Sequence, residues 1–192
     1  MKNRINVLYV HGYMGSGSGE TATNFKRLLN SDRYNFISPN FSNKIGDIGE
    51  NILAINKIID RERPLITIGN SLGSFEVMHS ARYGFRMLIN PVFNPVTDTL
   101  QPEIFDESFS TMSDKISELA NSLKIEEGDK LMTYGFFGAE DDVVNCQPQF
   151  EKLFVTNQKT VFPGVGHQLF EPHLKIVVDK IDKIMDMDEK TD

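Results

Sequence analysis

The chain has 192 residues, a length that fits one compact domain with a single hydrophobic core. Its formal net charge is -7, and 24% of its residues are charged. Nucleic acids and anionic membranes require concentrated Lys and Arg, so this acidic balance argues against both as the main partner.

The single cysteine, Cys146, excludes an intramolecular disulfide. An apolar run at 5–10 is too short to cross a bilayer, and a polar loop rich in Gly and Ser follows it where a signal peptide would be cleaved. These features predict a protein of the reducing cytoplasm. No pattern in the sequence predicts an oligomeric state.

Short apolar runs alternate with helix-like segments, a pattern typical of a parallel sheet with crossover helices. We therefore predict an α/β fold, a three-layer sandwich around a mostly or wholly parallel six-stranded sheet. The predicted strands are 5–10, 34–38, 65–68, 86–90, 130–136 and 159–162.

Helices are predicted where apolar residues recur at spacings of three and four. Such stripes run through 45–59, through 116–123 after a Ser113 cap, and through 174–184 with Pro172 near the first turn. Two further helices are predicted at 72–83 and 145–154.

The whole chain, 1–192, is predicted to form a single domain, because no repeat, low-complexity tract or linker divides it. The segment 91–112 is long and irregular, and it contains several aromatic residues. Two interpretations stay open for it: a small lid over a binding site, or a loop that its aromatic side chains pin to the core. Beyond Met185 the chain is highly charged, and we predict a frayed tail at 186–192.

A Gly-x-Ser-x-Gly motif, Gly69-Asn70-Ser71-Leu72-Gly73, lies between a predicted strand and a predicted helix. A sharp strand-to-helix turn at such a motif lifts the serine above the sheet in a strained conformation. The glycines, which lack a Cβ, allow neighbouring backbone to approach closely. Ser71 is therefore the candidate nucleophile, and the alternative is an ordinary serine in a glycine-rich turn.

A serine nucleophile needs a base, and the base needs an acid that orients it. In a site of this type the order along the chain is serine, acid, histidine. His167 follows the last predicted strand in a glycine-rich loop, which places it at the same sheet edge as Ser71. His167 is therefore preferred as the base over His173, which follows Pro172 at a helix start.

The acid is expected directly after the fifth predicted strand, where three carboxylates are adjacent. Only one of them can point at the imidazole from this turn. Asp141 is preferred over Asp142, and Glu140 comes third, because the valines at 143 and 144 can anchor the loop behind Asp141.

An oxyanion hole needs two backbone N–H donors that converge on one point. We predict the N–H of Leu72, directly after the nucleophile, and that of Tyr13 in the loop after the first strand, with Met14 as the alternative to Tyr13. The same loop does not fit a phosphate cradle, because P-loop spacing from Gly12 would require a Lys at Ser18. Nucleotide binding is therefore disfavoured.

Three further residues with reactive or titratable side chains receive no catalytic role. His11 is predicted to support the loop after the first strand, and His79 to be structural. Cys146 begins a predicted helix, which would lower its pKa, but it has no task beside a serine triad.

Five short motifs occur in matching order with small single-domain bacterial α/β-hydrolases, and on them the sequence resembles the YqiA/YcfP-like esterase group. The motifs are Leu8-Tyr9-Val10-His11-Gly12-Tyr13, Gly69-Asn70-Ser71-Leu72-Gly73, Ile89-Asn90-Pro91-Val92, Asp141 before Val143-Val144, and Gly166-His167. The resemblance implies a minimal α/β-hydrolase fold whose sheet lacks the first two strands of larger relatives. It also implies carboxylesterase activity toward short acyl esters, with Ser71, Asp141 and His167 as the triad.

Residues and resemblance together predict a serine carboxylesterase that cleaves short or medium acyl esters of small molecules. Met14, Phe93, Phe137 and Leu169 are predicted to line the substrate pocket, although each could equally belong to the core. The alternatives are a thioesterase or amidase with the same triad, and a non-catalytic binding protein on a hydrolase scaffold. No metal, cofactor, nucleic acid or membrane is predicted as a partner.

Overall fold

The computed structural model describes residues 4–188 and contains one six-stranded sheet in which every neighbouring pair is parallel. The strand order is β2-β1-β3-β4-β5-β6. The strands are β1 Ile5–Val10, β2 Tyr34–Ile37, β3 Ile66–Asn70, β4 Phe85–Ile89, β5 Thr133–Gly138 and β6 Lys159–Phe162.

Eight α-helices lie within the described residues, together with three short 3₁₀ turns. The helices are α1 Glu20–Leu28, α2 Ile48–Glu62, α3 Leu72–Met78, α4 Pro95–Asp98, α5 Ser108–Ser122, α6 Glu127–Met132, α7 Gln147–Leu153 and α8 Glu171–Asp188. The 3₁₀ turns are Ile45–Asp47, Pro102–Ile104 and Thr156–Gln158.

Side chains of β1 alternate between two buried faces of the sheet. Val7 and Tyr9 belong to one hydrophobic core, which they share with residues of α1 and α8. Leu8 and Val10 belong to the opposite core, shared with residues of α2, α3 and α7. Helices therefore cover both sides, and the predicted three-layer α/β sandwich around a wholly parallel six-stranded sheet is confirmed.

The predicted strand at 130–136 and the predicted helix at 72–83 have different bounds in the structure. The residues at 130–132 belong to α6 and not to β5, because Glu126 and Asp129 form a capping box that starts a helix there. The helix after Ser71 ends at Met78. The chain then turns back into β4 through Gly84, whose φ of 64° favours glycine.

The segment 91–112 is more regular than predicted. It contains α4 and a 3₁₀ turn, and α5 already begins at Ser108, so Ser113 lies inside a helix and is not its cap. The Asp106 carboxylate is the local organiser, because it accepts the N–H groups of Ser108 and Ile45, each at 2.9 Å. Phe105 and Phe109 of this segment pack against a third hydrophobic core. Motion of the segment as a lid stays a prediction.

The carboxyl-terminal helix α8 has Pro172 in its first turn and continues to Asp188. Of the predicted frayed tail at 186–192, positions 186–188 are therefore helical and 189–192 lie outside the described residues. Within residues 4–188, no helix combines the length and apolar character that crossing a membrane requires.

Candidate active site

Ser71 lies in a sharp turn between β3 and α3, with a φ of 52° and a ψ of -121°. A non-glycine residue in this region is strained, and neighbouring structure must hold it there. The Ser71 N–H donates to Ile89 O at 2.8 Å, and Ser71 O accepts the Ser74 N–H at 2.9 Å. A Cβ at Gly69 would lie 2.7 Å from Ser74 Cα, and one at Gly73 would overlap Val10 O, so both glycines are required by close packing.

His167, in the loop after β6, joins Ser71 and Asp141 into one chain of hydrogen bonds. Its Nε2 lies 3.0 Å from Ser71 Oγ, and its Nδ1 lies 2.8 Å from Asp141 Oδ2. A carboxylate is an acceptor, so Nδ1 carries the proton and the Nε2 lone pair faces the serine hydroxyl. This is the arrangement in which an imidazole can take the proton of an attacking serine.

The Asp141 carboxylate is fixed on both of its oxygens. Oδ1 accepts the N–H groups of Val143 and Val144, each at 2.9 Å, while Oδ2 accepts from His167. Its side chain is 7% exposed. Of the three adjacent carboxylates, the structure brings Asp141 to the imidazole, whereas Asp142 is exposed.

The loop after β1 packs directly against the turn at Ser71. A Cβ at Gly12 would lie 3.0 Å from Ser71 Cβ, so glycine is needed for the approach. The Gly12 carbonyl accepts both the Gly15 N–H, at 3.0 Å, and the His11 Nδ1–H, at 2.9 Å. The Tyr13 N–H points the opposite way, because the two groups belong to one planar trans peptide. His11 and Gly15 thereby orient the predicted oxyanion donor.

The other candidate donor is the N–H of Leu72, the first residue of α3. The first four N–H groups of a helix have no partner within the helix, and they carry its positive dipole end. The Leu72 N–H therefore belongs to a region that favours a developing negative charge beside Ser71.

Comparison with known proteins identifies the fold that carries these residues. No family model matches the sequence, and no curated protein gives a match. Among solved structures, alpha/beta hydrolase domain-containing protein 10 from mouse has a TM-score of 0.66 at 16% identity, over 95% of this chain and 90% of that one. Est1E from Butyrivibrio proteoclasticus, with ferulic acid bound, has a TM-score of 0.68 at 14% identity, over 96% and 89%. The esterase domain of a Rhodothermus marinus protein has a TM-score of 0.62 at 14% identity, over 90% and 82%. The chain has the α/β-hydrolase fold.

In this α/β-hydrolase fold, two cavities meet at Ser71 and His167. The larger has a volume of about 370 Å³, and the smaller has about 190 Å³. Tyr13 and Met14 line both of them, with Met14 largely exposed. Leu169 lines the larger one.

Phe93 and Phe137 line neither cavity at Ser71, which corrects their prediction as pocket residues. Both are buried in the core between the sheet and α7. The ring of Phe137 packs edge-on against Phe150 with the ring centroids 5.4 Å apart, and Phe93 lies 6.2 Å from Phe154. Strand alternation explains this for Phe137, since its side chain points toward α7 and not toward the sheet edge.

Asn90, which directly follows β4, received no functional role from the sequence beyond its place in the Ile89-Asn90-Pro91-Val92 motif. Its side chain donates to His167 O at 2.6 Å and accepts the Gly138 N–H at 2.8 Å. The residue is 1% exposed and has a φ of 40°. Its position directly after a strand, at the sheet edge that carries Ser71, is the signal that could have found it.

The remaining candidates of the sequence have structural surroundings. His11 is buried, and its Nε2 accepts the Phe41 N–H at 2.9 Å, so it supports the loop as predicted. His79 is held by Phe75 O at 2.8 Å, and burial lowers its pKa. Burial and the Asp98 carboxylate raise the pKa of the Cys146 thiol, which corrects the expectation that its helix start lowers it.

Among residues 4–188, no group of three or more His, Cys, Asp or Glu side chains is arranged to hold a metal ion.

His173 is the N3 residue of α8, and its Nδ1 accepts the Phe170 N–H at 3.3 Å. It therefore caps the start of α8, and the imidazole that faces Ser71 Oγ is that of His167.

Proposed function

We propose that this protein is a serine hydrolase, specifically a carboxylesterase that forms an acyl-enzyme on Ser71. One observation carries the proposal: the unbroken hydrogen-bond chain from Ser71 Oγ through His167 to Asp141, at 3.0 Å and 2.8 Å. A strained serine, a correctly oriented imidazole and a buried carboxylate together make a nucleophile that acts near neutral pH.

In the proposed reaction, His167 Nε2 takes the Ser71 hydroxyl proton while Oγ attacks the ester carbonyl carbon. Asp141 stabilises the imidazolium that forms. The N–H groups of Leu72 and Tyr13 stabilise the oxyanion, and His167 then gives its proton to the departing alcohol. Water, deprotonated by His167, then attacks the acyl carbon, and His167 returns that proton to Ser71 Oγ as the bond to the acyl group breaks and the acid leaves.

Two further lines support ester hydrolysis. One structural neighbour is described as an esterase domain. The sequence motifs resemble the YqiA/YcfP-like esterases, and we propose membership of that group. A thioesterase or amidase would use the same triad, so the leaving group must be tested directly.

The single buried cysteine fits a reducing compartment, and we propose the cytoplasm as the location.

Labelling with a fluorophosphonate probe tests the nucleophile independently of any substrate. We expect the folded protein to be labelled on Ser71 and to hydrolyse p-nitrophenyl acetate and butyrate. The Ser71→Ala variant should lose both labelling and turnover. Ser18→Ala removes an exposed hydroxyl in the loop after β1 and should leave both unchanged.

Absence of labelling in the folded protein would overturn the proposal and favour a binding protein on a hydrolase scaffold. The same conclusion would follow if Ser71→Ala kept its turnover, because the activity would then lie elsewhere. Preferential turnover of acyl thioesters or amides would retain the Ser71 mechanism and overturn the carboxylesterase assignment.

A further inference from the structure

The two cavities that meet at Ser71 differ in chemistry, and this difference defines a substrate. We propose that the substrate is an ester joining an apolar acyl group of about four to six carbons to a polar alcohol that carries no negative charge. The inference rests on the proposed function, because it assigns the two halves of the ester that Ser71 would cleave.

The smaller cavity fits the acyl group because its walls are mostly apolar side chains. They include Leu72, Val92, Ile104, Phe105, Val143 and Val144. Val92 and Val144 are 2% and 3% exposed, so an acyl chain there would be removed from water. A bridge between Thr99 and Val144 ties the segment 91–112 to the loop that carries Asp141.

The volume of this cavity limits the acyl chain. It measures about 190 Å³. A cavity of about 150 Å³ accommodates a molecule the size of benzene, which indicates room for about four to six carbons. A long fatty acyl chain would exceed this space.

The larger cavity fits a polar alcohol because hydrogen-bonding side chains line it. They include Ser16, Glu20, Thr21, Asn70 and Gln168, and the rest of the wall is made of glycines and apolar residues such as Met14, Ile89 and Leu169. Its volume of about 370 Å³ is roughly twice that of the apolar cavity. Hydroxyl groups of an alcohol would replace the water contacts of these side chains, whereas an apolar alcohol would remove those water contacts without replacing them.

The charge in the larger cavity selects against anions. Glu20 is the one carboxylate among the residues that line it, and no Lys or Arg lines it. The Gln168 amide donates to Glu20 Oε2 at 3.2 Å, which holds the carboxylate at the wall. The Glu20 carboxylate would repel an alcohol that carries a carboxylate or phosphate, so this site disfavours anionic leaving groups.

Three butyrate esters test whether the site disfavours a negatively charged alcohol. They are 2-hydroxyethyl butyrate, carboxymethyl butyrate and choline butyrate. Hydrolysis is followed by acid release, and each kcat/KM is divided by the rate of alkaline hydrolysis of the same ester. We expect the hydroxyethyl and choline esters to exceed the carboxymethyl ester by roughly tenfold. Glu20→Gln should narrow this preference by about threefold to fivefold, the size expected for one exposed charge. Glu20→Lys should narrow it further.

Glu50→Gln is the matched control, because Glu50 is exposed in the first turn of α2 and lines neither cavity. It should leave the preference unchanged. A carboxymethyl ester that reacts as well as the others would overturn the claim that the larger cavity disfavours a negatively charged alcohol. A preference that Glu20→Gln does not alter would do the same.

Substitutions at Ile104 test the acyl assignment in opposite directions. Across hydroxyethyl esters from acetate to octanoate, Ile104→Ala should move the optimum to longer chains, and Ile104→Phe should move it to shorter ones. Leu100→Ala, at an exposed side chain of the same segment, is the control and should leave the optimum in place. If both Ile104 variants kept the original optimum, the acyl group would not occupy this cavity and the assignment would fail.

Failure of this inference is distinguishable from failure of the proposed function. Fluorophosphonate labelling of Ser71 and hydrolysis of p-nitrophenyl acetate require neither a long acyl group nor a charged alcohol. A protein that is labelled on Ser71 but shows neither preference would retain the esterase mechanism and lose the assigned substrate.

Discussion

The side-chain amide of Asn90 donates a 2.6 Å hydrogen bond to the backbone carbonyl of His167. Its Oδ1 accepts the N–H of Gly138, at the end of β5, at 2.8 Å. One buried amide thus joins the ends of two strands to the loop that carries the imidazole. Asn90 touches no reacting atom, so we interpret it as a positioning residue for His167.

Replacing Asn90 by Ala should misplace the imidazole and lower kcat. Both hydrogen bonds are lost, and a displacement of about 1 Å at a catalytic group can reduce the rate on the order of 10²-fold. The KM should change much less, because Asn90 contacts the backbone of His167 and lines neither cavity at Ser71. Steady-state kinetics on p-nitrophenyl butyrate measure the two constants separately.

Asn35→Ala is the control for this prediction, because it also removes a side-chain hydrogen bond, the 2.8 Å contact with Asn6 between β1 and β2. It should lower the melting temperature without affecting kcat. If Asn90→Ala lost stability and kept full kcat, the role of Asn90 would be structural only.

The acid assignment predicts unequal effects at adjacent positions. Asp141→Asn should reduce kcat by about 10⁴-fold, because an amide in that place no longer stabilises the imidazolium or selects the correct tautomer. Asp142→Asn should stay within about twofold of the parent, since that side chain is exposed and His167 Nδ1 is bonded to Asp141. Initial rates over a range of pH compare the two variants. A larger loss at Asp142 would reverse the assignment.

The sequence predicted the three layers and the parallel sheet because hydrophobic periodicity and turn residues are local signals. Apolar runs such as 5–10 became buried strands. Asp141, which three adjacent carboxylates left ambiguous, is distinguished by contacts between distant segments, namely its bond to His167 and its bonds to the loop behind it. The sequence pattern could not separate a core Phe137 from a pocket Phe137, because aromatic residues suit both environments.

The position of His11 leads us to expect that its ring supports the oxyanion hole without contacting the substrate. Its Nδ1–H holds the Gly12 carbonyl, and its Nε2 accepts the Phe41 N–H, so the ring fixes the peptide that carries the Tyr13 N–H. His11→Ala should lower kcat by about tenfold to 10²-fold, less than the complete loss of one oxyanion donor.

The rate of fluorophosphonate labelling gives an independent measurement for His11→Ala, since we expect the phosphoryl oxygen to bind the same two N–H groups, those of Tyr13 and Leu72. His173→Ala is the control, because that ring caps α8 and packs against Phe162 of β6. Unchanged kcat and labelling in folded His11→Ala would show that the Gly12–Tyr13 peptide keeps its orientation without the ring.

The buried Glu76 in α3 should make the free energy of unfolding depend on pH, independently of catalysis. The residue is 2% exposed, and burial raises its pKa to about 8, against the opposing hydrogen bond from Asn51 at 2.7 Å. In the unfolded chain the carboxyl ionises near its ordinary pKa of 4.5, so the native state holds a proton that the unfolded state releases. The free energy of unfolding should therefore fall as pH rises from about 4.5 to about 8.

Glu76→Gln removes this ionisation while keeping the shape of the side chain and an acceptor for Asn51. The variant should match the parent near pH 4.5 and be more stable at pH 7.5 by a few kcal/mol, at about 1.4 kcal/mol per unit of pKa difference. Urea unfolding at both pH values measures the change. Glu118→Gln, in the exposed part of α5, should show no such pH dependence. A Glu76→Gln variant with the same stability difference at both pH values would contradict the raised pKa.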